Sequence, residues 1–278
     1  MDKRIALRFD IDSVSCVRQG LAGLSAVAHR YAVPVTLFVS MGRAIQRGPA
    51  LLRMVSRHDS AKRMFPMKRL GFAAALQTLI MNPRIGCDNA DVLSRFQEQG
   101  HELGLHGGRN HAWWQRHARS AGIETIRRDL GWSYDAFARL FGAPAGFAAP
   151  GFVWSEATLA VIDEKKFQYA SDMDGLRPFH AEAGGRTFSH WQVPVTVCGA
   201  SHTPLIEWAC LQKQSEQDFL AELTLKLSGD GPAVLYGHPC LDGVAGIAYL
   251  TAAIEYLLDK GFCFVRMRDL VPTGPGVA

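Results

Sequence analysis

Apolar positions along the chain switch repeatedly between strand and helix spacing. Ile5-Ala6-Leu7-Arg8-Phe9 reads as a strand that ends at Asp10. Leu21, Leu24, Val27 and Ala28 then recur at helical spacing within a helix predicted over 17–31, which Pro34 stops. Val35-Thr36-Leu37-Phe38-Val39 follows as a buried strand. Strand, helix and strand make one βαβ unit, and that implies a parallel sheet. After a less regular stretch over 41–89, the alternation resumes. A short helix is predicted over 91–99 and a strand over 102–105. An amphipathic helix over 123–141 carries Ile126, Leu130, Tyr134, Phe137 and Leu140 on one stripe. Further strands are predicted at 146–148, 168–170, 191–197, 233–236 and 262–265, with helices at 155–165, 214–227 and 244–258. There is no internal repeat. About seven strands with interleaved helices predict an α/β fold built as a (β/α) barrel, closed or incomplete. Barrels of this kind collect their chemistry at the C-terminal ends of the strands.

Three strand ends carry candidate chemistry. The first runs into Asp10-Ile11-Asp12-Ser13, two carboxylates on an otherwise apolar strand that need partners if buried. A helix cap at Asp12 or Ser13 is the plainer reading. A later strand ends in His106-Gly107-Gly108-Arg109-Asn110-His111. Two histidines in a glycine turn suit Zn²⁺ or a similar ion, and a carboxylate could complete the set. They also suit a polar loop. Val234-Leu235-Tyr236 runs into Gly237-His238, which a barrel would place at the same rim. A carboxylate that accepts a proton from water, and a histidine that returns one to an amine, are what amide hydrolysis requires.

Composition bounds these readings. The chain has 278 residues, 48% of them hydrophobic and 20% charged, which excludes a disordered chain or a small disulfide scaffold. The six cysteines form no CxxC pair, as expected of thiols in a reducing compartment. A net charge of +4 is too mild to argue for nucleic acid. No signal peptide is visible, and no run approaches the roughly 18–20 apolar residues of a membrane span. The expectation is a cytoplasmic protein, free or lying against a membrane.

In this order the motifs resemble the polysaccharide deacetylase (NodB-homology) superfamily. Phe9-Asp10-Ile11-Asp12 resembles its first motif, and the block from His106 its His-x-x-x-His motif. Ala148-Ala149-Pro150-Gly151 resembles its Arg-x-Pro-x-Gly block. Ser171-Asp172-Met173-Asp174-Gly175 looks like its aspartate motif, and Val234 to His238 like its final strand. The likeness spans roughly residues 4–270. It is greatest to the branch that deformylates a formamido sugar carried on undecaprenyl phosphate. The resemblance implies a deformed barrel of seven strands, a general base at Asp10 and a general acid at His238. It implies a divalent metal, zinc first with cobalt, manganese or nickel as alternatives, held by Asp12, His106 and His111. Trp113, Pro150, Gly151 and Asp172 are the substrate-binding candidates. Two departures stand out. The residue four after His106 is Asn110, so either His111 binds through a shifted loop, or Asn110 offers its amide oxygen, or the site is degraded. Ala149 stands where many members carry an arginine that orients the base. The same chemistry on an N-acetylhexosamine is the alternative enzyme, and a non-catalytic barrel that binds a lipid-linked sugar or a membrane is the alternative class.

The chain reads as a single domain over 1–278, with a basic amphipathic helical insertion over 43–90. Between Arg43 and Arg84 nine Lys/Arg face a single acid, Asp59, and they alternate with Leu, Met and Phe. Such a mixture describes an element that lies on an anionic membrane surface, where each cation is worth roughly 1 kcal/mol. A solvated hairpin packed on the barrel is the competing reading. No nucleic-acid motif accompanies the charge. The expected partner is a polyprenyl-phosphate-linked amino sugar at the inner face of the inner membrane.

Overall fold

The computed structural model describes residues 2–43, 82–227, 229 and 231–272. Most of the basic insertion, residues 44–81, therefore lies outside the described residues. Its flanks meet, because Arg43 and Arg84 form an antiparallel bridge.

Among the described residues nine strands form one sheet: β1 (Arg4–Ile11), β2 (Thr36–Val39), β3 (Glu102–His106), β4 (Gly146–Ala148), β5 (Tyr169–Ala170), β6 (Phe179–Ala183), β7 (Arg186–Gln192), β8 (Ala233–Gly237) and β9 (Cys263–Val265). Their order is β6-β7-β5-β4-β3-β2-β1-β8, with β9 also paired to β1. Only the β6–β7 pair is antiparallel. The two ends of the parallel path, β7 and β8, are tied by the chain just after β7. Val197 bridges Leu235 in parallel, and its N–H donates to the Val234 carbonyl at 2.9 Å. Seven of the nine strands thus make a barrel wall closed by one bridge, the deformed (β/α) barrel that the alternation predicts.

The helices are α1 (Leu21–Tyr31), α2 (Ala90–Glu98), α3 (His111–His117), α4 (Ile123–Phe141), α5 (Glu156–Glu164), α6 (Leu205–Gln212), α7 (Glu216–Lys226), α8 (Pro239–Asp242) and α9 (Ile247–Asp259). α1 buries Leu21, Leu24, Val27 and Ala28, the predicted stripe. α4 buries Ile126, Leu130 and Phe137, but Leu140 at the end of its stripe is exposed. The helix predicted over 17–31 starts with a π-helical turn at Cys16–Gly20. Gly20 lies against the Pro239 backbone there, where a Cβ would come within 2.1 Å of the carbonyl carbon.

Four elements were not anticipated: β6, α3, α6 and α8. The strand predicted at 191–197 lies upstream as β7, in a hairpin with β6 that turns at Gly184 and Gly185. Both glycines have positive φ, 58° and 73°, as a two-residue hairpin turn requires. His190 is buried on β7 and pairs with Asp163 Oδ1 at 2.6 Å. α3, α6 and α8 form where sequence periodicity gave no element.

Strand alternation divides the core into two. On β1, Ile5, Leu7, Phe9 and Ile11 face the helices, whereas Ala6 belongs to a cluster inside the barrel with Phe38, Tyr169, Val234 and Tyr236. Arg8 and Asp10 share the parity of Ala6 and point inward. So do Glu102 and His106 on β3. The barrel interior is therefore partly polar. At its lower end Glu102 accepts from Thr36 Oγ1 at 2.9 Å, Tyr169 Oη at 3.1 Å and the Arg268 N–H at 3.1 Å.

Candidate active site

The upper end of the barrel begins with Asp10. Its carboxylate takes two hydrogen bonds from Arg8, Nη2 to Oδ2 at 2.9 Å and Nε to Oδ1 at 3.1 Å. Arg8 is itself fully buried. Its Nη1 donates to the Ser171 carbonyl at 2.6 Å and to Ser171 Oγ at 2.9 Å. Phe38, Phe152 and Tyr236 surround the guanidinium at 5.1, 4.9 and 5.1 Å from their ring centroids. Burial by itself is the largest influence and would raise Asp10, but the charge and hydrogen bonds of Arg8, together with His106 and His238, outweigh it and hold the carboxyl below its ordinary range. Arg8 was missed in the sequence. The signal was a charged residue inside an apolar strand, two positions before an aspartate and hence on the same face. It supplies from β1 the guanidinium that Ala149 does not carry.

His106 ends β3 and is buried. Its Nδ1 lies 3.0 Å from the Ala148 carbonyl, which fixes Nδ1 as donor and leaves Nε2 as acceptor. Burial lowers its pKa to about 4, so the ring is neutral near pH 7. The chain then turns at Gly107, φ +66°, where a Cβ would meet the Pro150 ring at 2.4 Å. Asn110 is the N-cap of α3, and its Oδ1 accepts from the Trp113 N–H at 3.0 Å. That leaves His111 as the first helical residue, with its ring centroid 5.2 Å from that of His106.

His238 follows β8. Asp242 Oδ2 accepts from its backbone N–H at 3.0 Å. Glu207 Oε1 lies 2.5 Å from its Nδ1, and Tyr236 Oη lies 3.2 Å from its Nε2. Asp12 Oδ2 is 3.8 Å from the same Nε2, and Asp12 Oδ1 is 3.5 Å from Cys16 Sγ. Glu207 is buried, comes from α6, and was not singled out in the sequence; the signal was one acid within Pro204-Leu205-Ile206-Glu207-Trp208-Ala209.

The structure groups the candidates in pairs. His106 lies by His111, with its Nδ1 3.9 Å from Asp10 Oδ2, and Asp12 lies by His238. Pro150 is buried against the turn that follows His106. Gly151 is exposed near the Gln115 side chain, and Trp113 is half-buried beside His117 at 5.9 Å between centroids. Asp172 is fully enclosed rather than open to a substrate. It accepts from the Ala149 N–H, and its own N–H donates to Gln192 Oε1 at 3.2 Å. Its second oxygen has no hydrogen-bond partner among the described residues, and burial raises its pKa to about 7.

Among the described residues, no three His, Cys, Asp or Glu side chains converge on one point. The donor chemistry nevertheless suits a divalent ion. Two imidazoles stand side by side, one of them kept neutral by burial with its tautomer fixed by a backbone carbonyl, and the Asp12 carboxylate follows β1, two strands away in the sheet. Asp12 turned toward the histidine pair would complete a two-histidine, one-carboxylate set.

A family model for polysaccharide deacetylase matches residues 1–170. The chain belongs to the polysaccharide deacetylase family. That match takes in Asp10, Asp12, His106 and His111 and stops before His238. The chain is 24% identical over 277 residues to a protein of Shewanella sediminis (strain HAW-EB3), described as a probable 4-deoxy-4-formamido-L-arabinose-phosphoundecaprenol deformylase ArnD, with 96% of this chain and 86% of that one covered. A crystal structure from Mycobacterium smegmatis assigned as a polysaccharide deacetylase superposes with a TM-score of 0.63 at 17% identity, covering 99% of this chain and 94% of that one. A family 4 acetyl xylan esterase from Clostridium thermocellum, in complex with a cobalt ion, superposes at 0.53 with 15% identity, covering 96% and 90%. These superpositions establish the NodB-homology fold. Membership in the family implies an amide hydrolase acting on acylated amino sugars, and the family is generally metal-dependent. Among the described residues no helix is long and apolar enough to cross a membrane.

Proposed function

We propose that the protein is a metal-dependent hydrolase that removes an N-formyl group from an amino sugar carried on undecaprenyl phosphate, in modification of lipid A or the cell envelope. The carrying observation is Asp10 locked in a buried ion pair with Arg8 on β1, while the adjacent strand β8 ends at His238. A base and an acid at neighbouring strand ends fit a substrate whose attacked carbon lies between them. The Shewanella relative's formamido sugar supports the formyl group and the polyprenyl carrier.

Asp12, His106 and His111 would hold the ion, zinc first. When bound, it supplies Lewis-acid polarisation of the acyl oxygen and the attacking water. Asn110 spends its amide oxygen on capping α3, which supports His111 as the ligand. Asp10 accepts a proton from the water, and Arg8 keeps that carboxylate ionised and aimed. His238 Nε2 takes up the proton released from the water and gives it to the nitrogen as the carbon–nitrogen bond breaks. The products are formate and a free amine. Trp113 and Gly151 border the mouth as sugar contacts, and Pro150 and Asp172 shape it from behind. We read residues 1–278 as one domain whose insertion, 43–90, docks on an anionic membrane surface from the cytoplasmic side. Nine basic residues suit both the leaflet and the substrate phosphate.

The test is product release from three probes by the metal-loaded protein. The probes are a short-chain polyprenyl phosphate carrying a 4-formamido sugar, its acetamido counterpart, and an N-acetylhexosamine conjugate. Formate from the first, abolished in Asp10→Asn, is the expected result. Acetate from the third alone would establish the alternative substrate. No release from any probe would sink the hydrolase reading.

A further inference from the structure

We infer that Glu207 is a positioning residue for His238: its carboxylate locks the ring in the tautomer that presents Nε2 to the departing amine. This rests on the reading of His238 as the general acid.

The geometry starts from protons. A buried carboxylate can only accept, so the 2.5 Å contact makes Nδ1 the donor. A neutral imidazole carries one proton, so Nε2 then bears the lone pair. The Tyr236 hydroxyl at 3.2 Å donates to that lone pair in the resting site. Nε2 is thus the nitrogen that can take up a catalytic proton and pass it on, while Nδ1 stays occupied. The backbone is fixed separately, because Asp242 accepts from the His238 N–H at 3.0 Å. Ring and main chain therefore have different anchors.

Glu207 is only 3% exposed and lies in the first turn of α6, whose N-terminal dipole favours a carboxylate. A neutral amide could either accept from Nδ1 or donate to it, whereas a carboxylate only accepts and so selects one tautomer. Glu207 also lies beyond the residues that the family model matches.

Two measurements decide the matter. In ¹⁵N-histidine-labelled full-length protein, with the His238 signals assigned by His238→Asn, the ring should carry its proton on Nδ1. An Nε2–H tautomer would overturn the proposal, whatever the fate of any variant. In steady-state formate release, Glu207→Gln should lower kcat by about 10²–10⁴-fold while KM stays within about threefold. Glu207→Asp should recover part of that loss. A kcat for Glu207→Gln within about threefold of wild type would contradict it, as would Glu207→Asp no better than Glu207→Ala. If the wild type releases no product from any probe, the functional reading fails, and the tautomer still decides the position of the ring.

Discussion

The rim of the barrel has two halves that are held in different ways. On β1 and β8, charged partners clamp the side chains. Asp10 is paired with Arg8, and His238 Nδ1 contacts Glu207. On β3 and α3, backbone and helix geometry do the holding. The Ala148 carbonyl orients His106, and the Asn110 cap sets where His111 enters its helix. The charged half keeps Asp10 ionised, as a proton acceptor requires. The neutral half keeps His106 uncharged, as a cation requires. A single rim can therefore serve two tasks that need opposite electrostatics, because each half has its own supports.

The largest effect that would break this contrast is expected at Arg8. Arg8→Met leaves Asp10 buried without its cation, which costs on the order of 3–5 kcal/mol. Denaturant unfolding should show that loss, and the double variant Arg8→Met/Asp10→Asn should regain much of it. Equal stability of the single and double variants would mean that the pair is not what holds β1's inner face.

A smaller effect should appear with pH. Burial raises the folded pKa of Asp172 to about 7, above the ordinary carboxyl value of about 3.8. Between those values the folded state holds a proton that the unfolded state has released. Raising the pH through this window therefore removes stability. Asp129, also raised to about 7, acts in the same direction, whereas buried neutral His106, at about 4, acts in the opposite one. Asp172→Asn isolates the first contribution. The melting temperature of wild type relative to this variant should fall as the pH rises from about 4 to about 7. A difference that does not change with pH would place Asp172 in contact with water.

The same division explains what could be read from the sequence. Asp10, Asp12, His106 and His238 were legible because strand period and strand ends are local patterns. His111 was legible as the second histidine of a glycine turn, although only the Asn110 cap explains its place. Arg8 and Glu207 were not, because each is defined by a partner. A lone arginine in an apolar strand looks like an edge residue until its neighbour across two positions is seen to face the same interior. Glu207 meets His238 across 31 residues of sequence. The β6–β7 hairpin was legible in principle from Gly184-Gly185 between alternating runs. α6 was hidden because its apolar residues nearly encircle it, which blurs helical periodicity.

The central claim is that the neutral half binds a divalent ion while the charged half does the proton chemistry. Metal content by elemental mass spectrometry tests it most directly, on wild type, His111→Ala, Asn110→Ala and Asp10→Asn purified without chelator. The account predicts close to one ion per chain in wild type, Asn110→Ala and Asp10→Asn, and loss of the ion in His111→Ala. A wild type that takes up no zinc, cobalt or manganese, or a His111→Ala variant that keeps its ion, would contradict it.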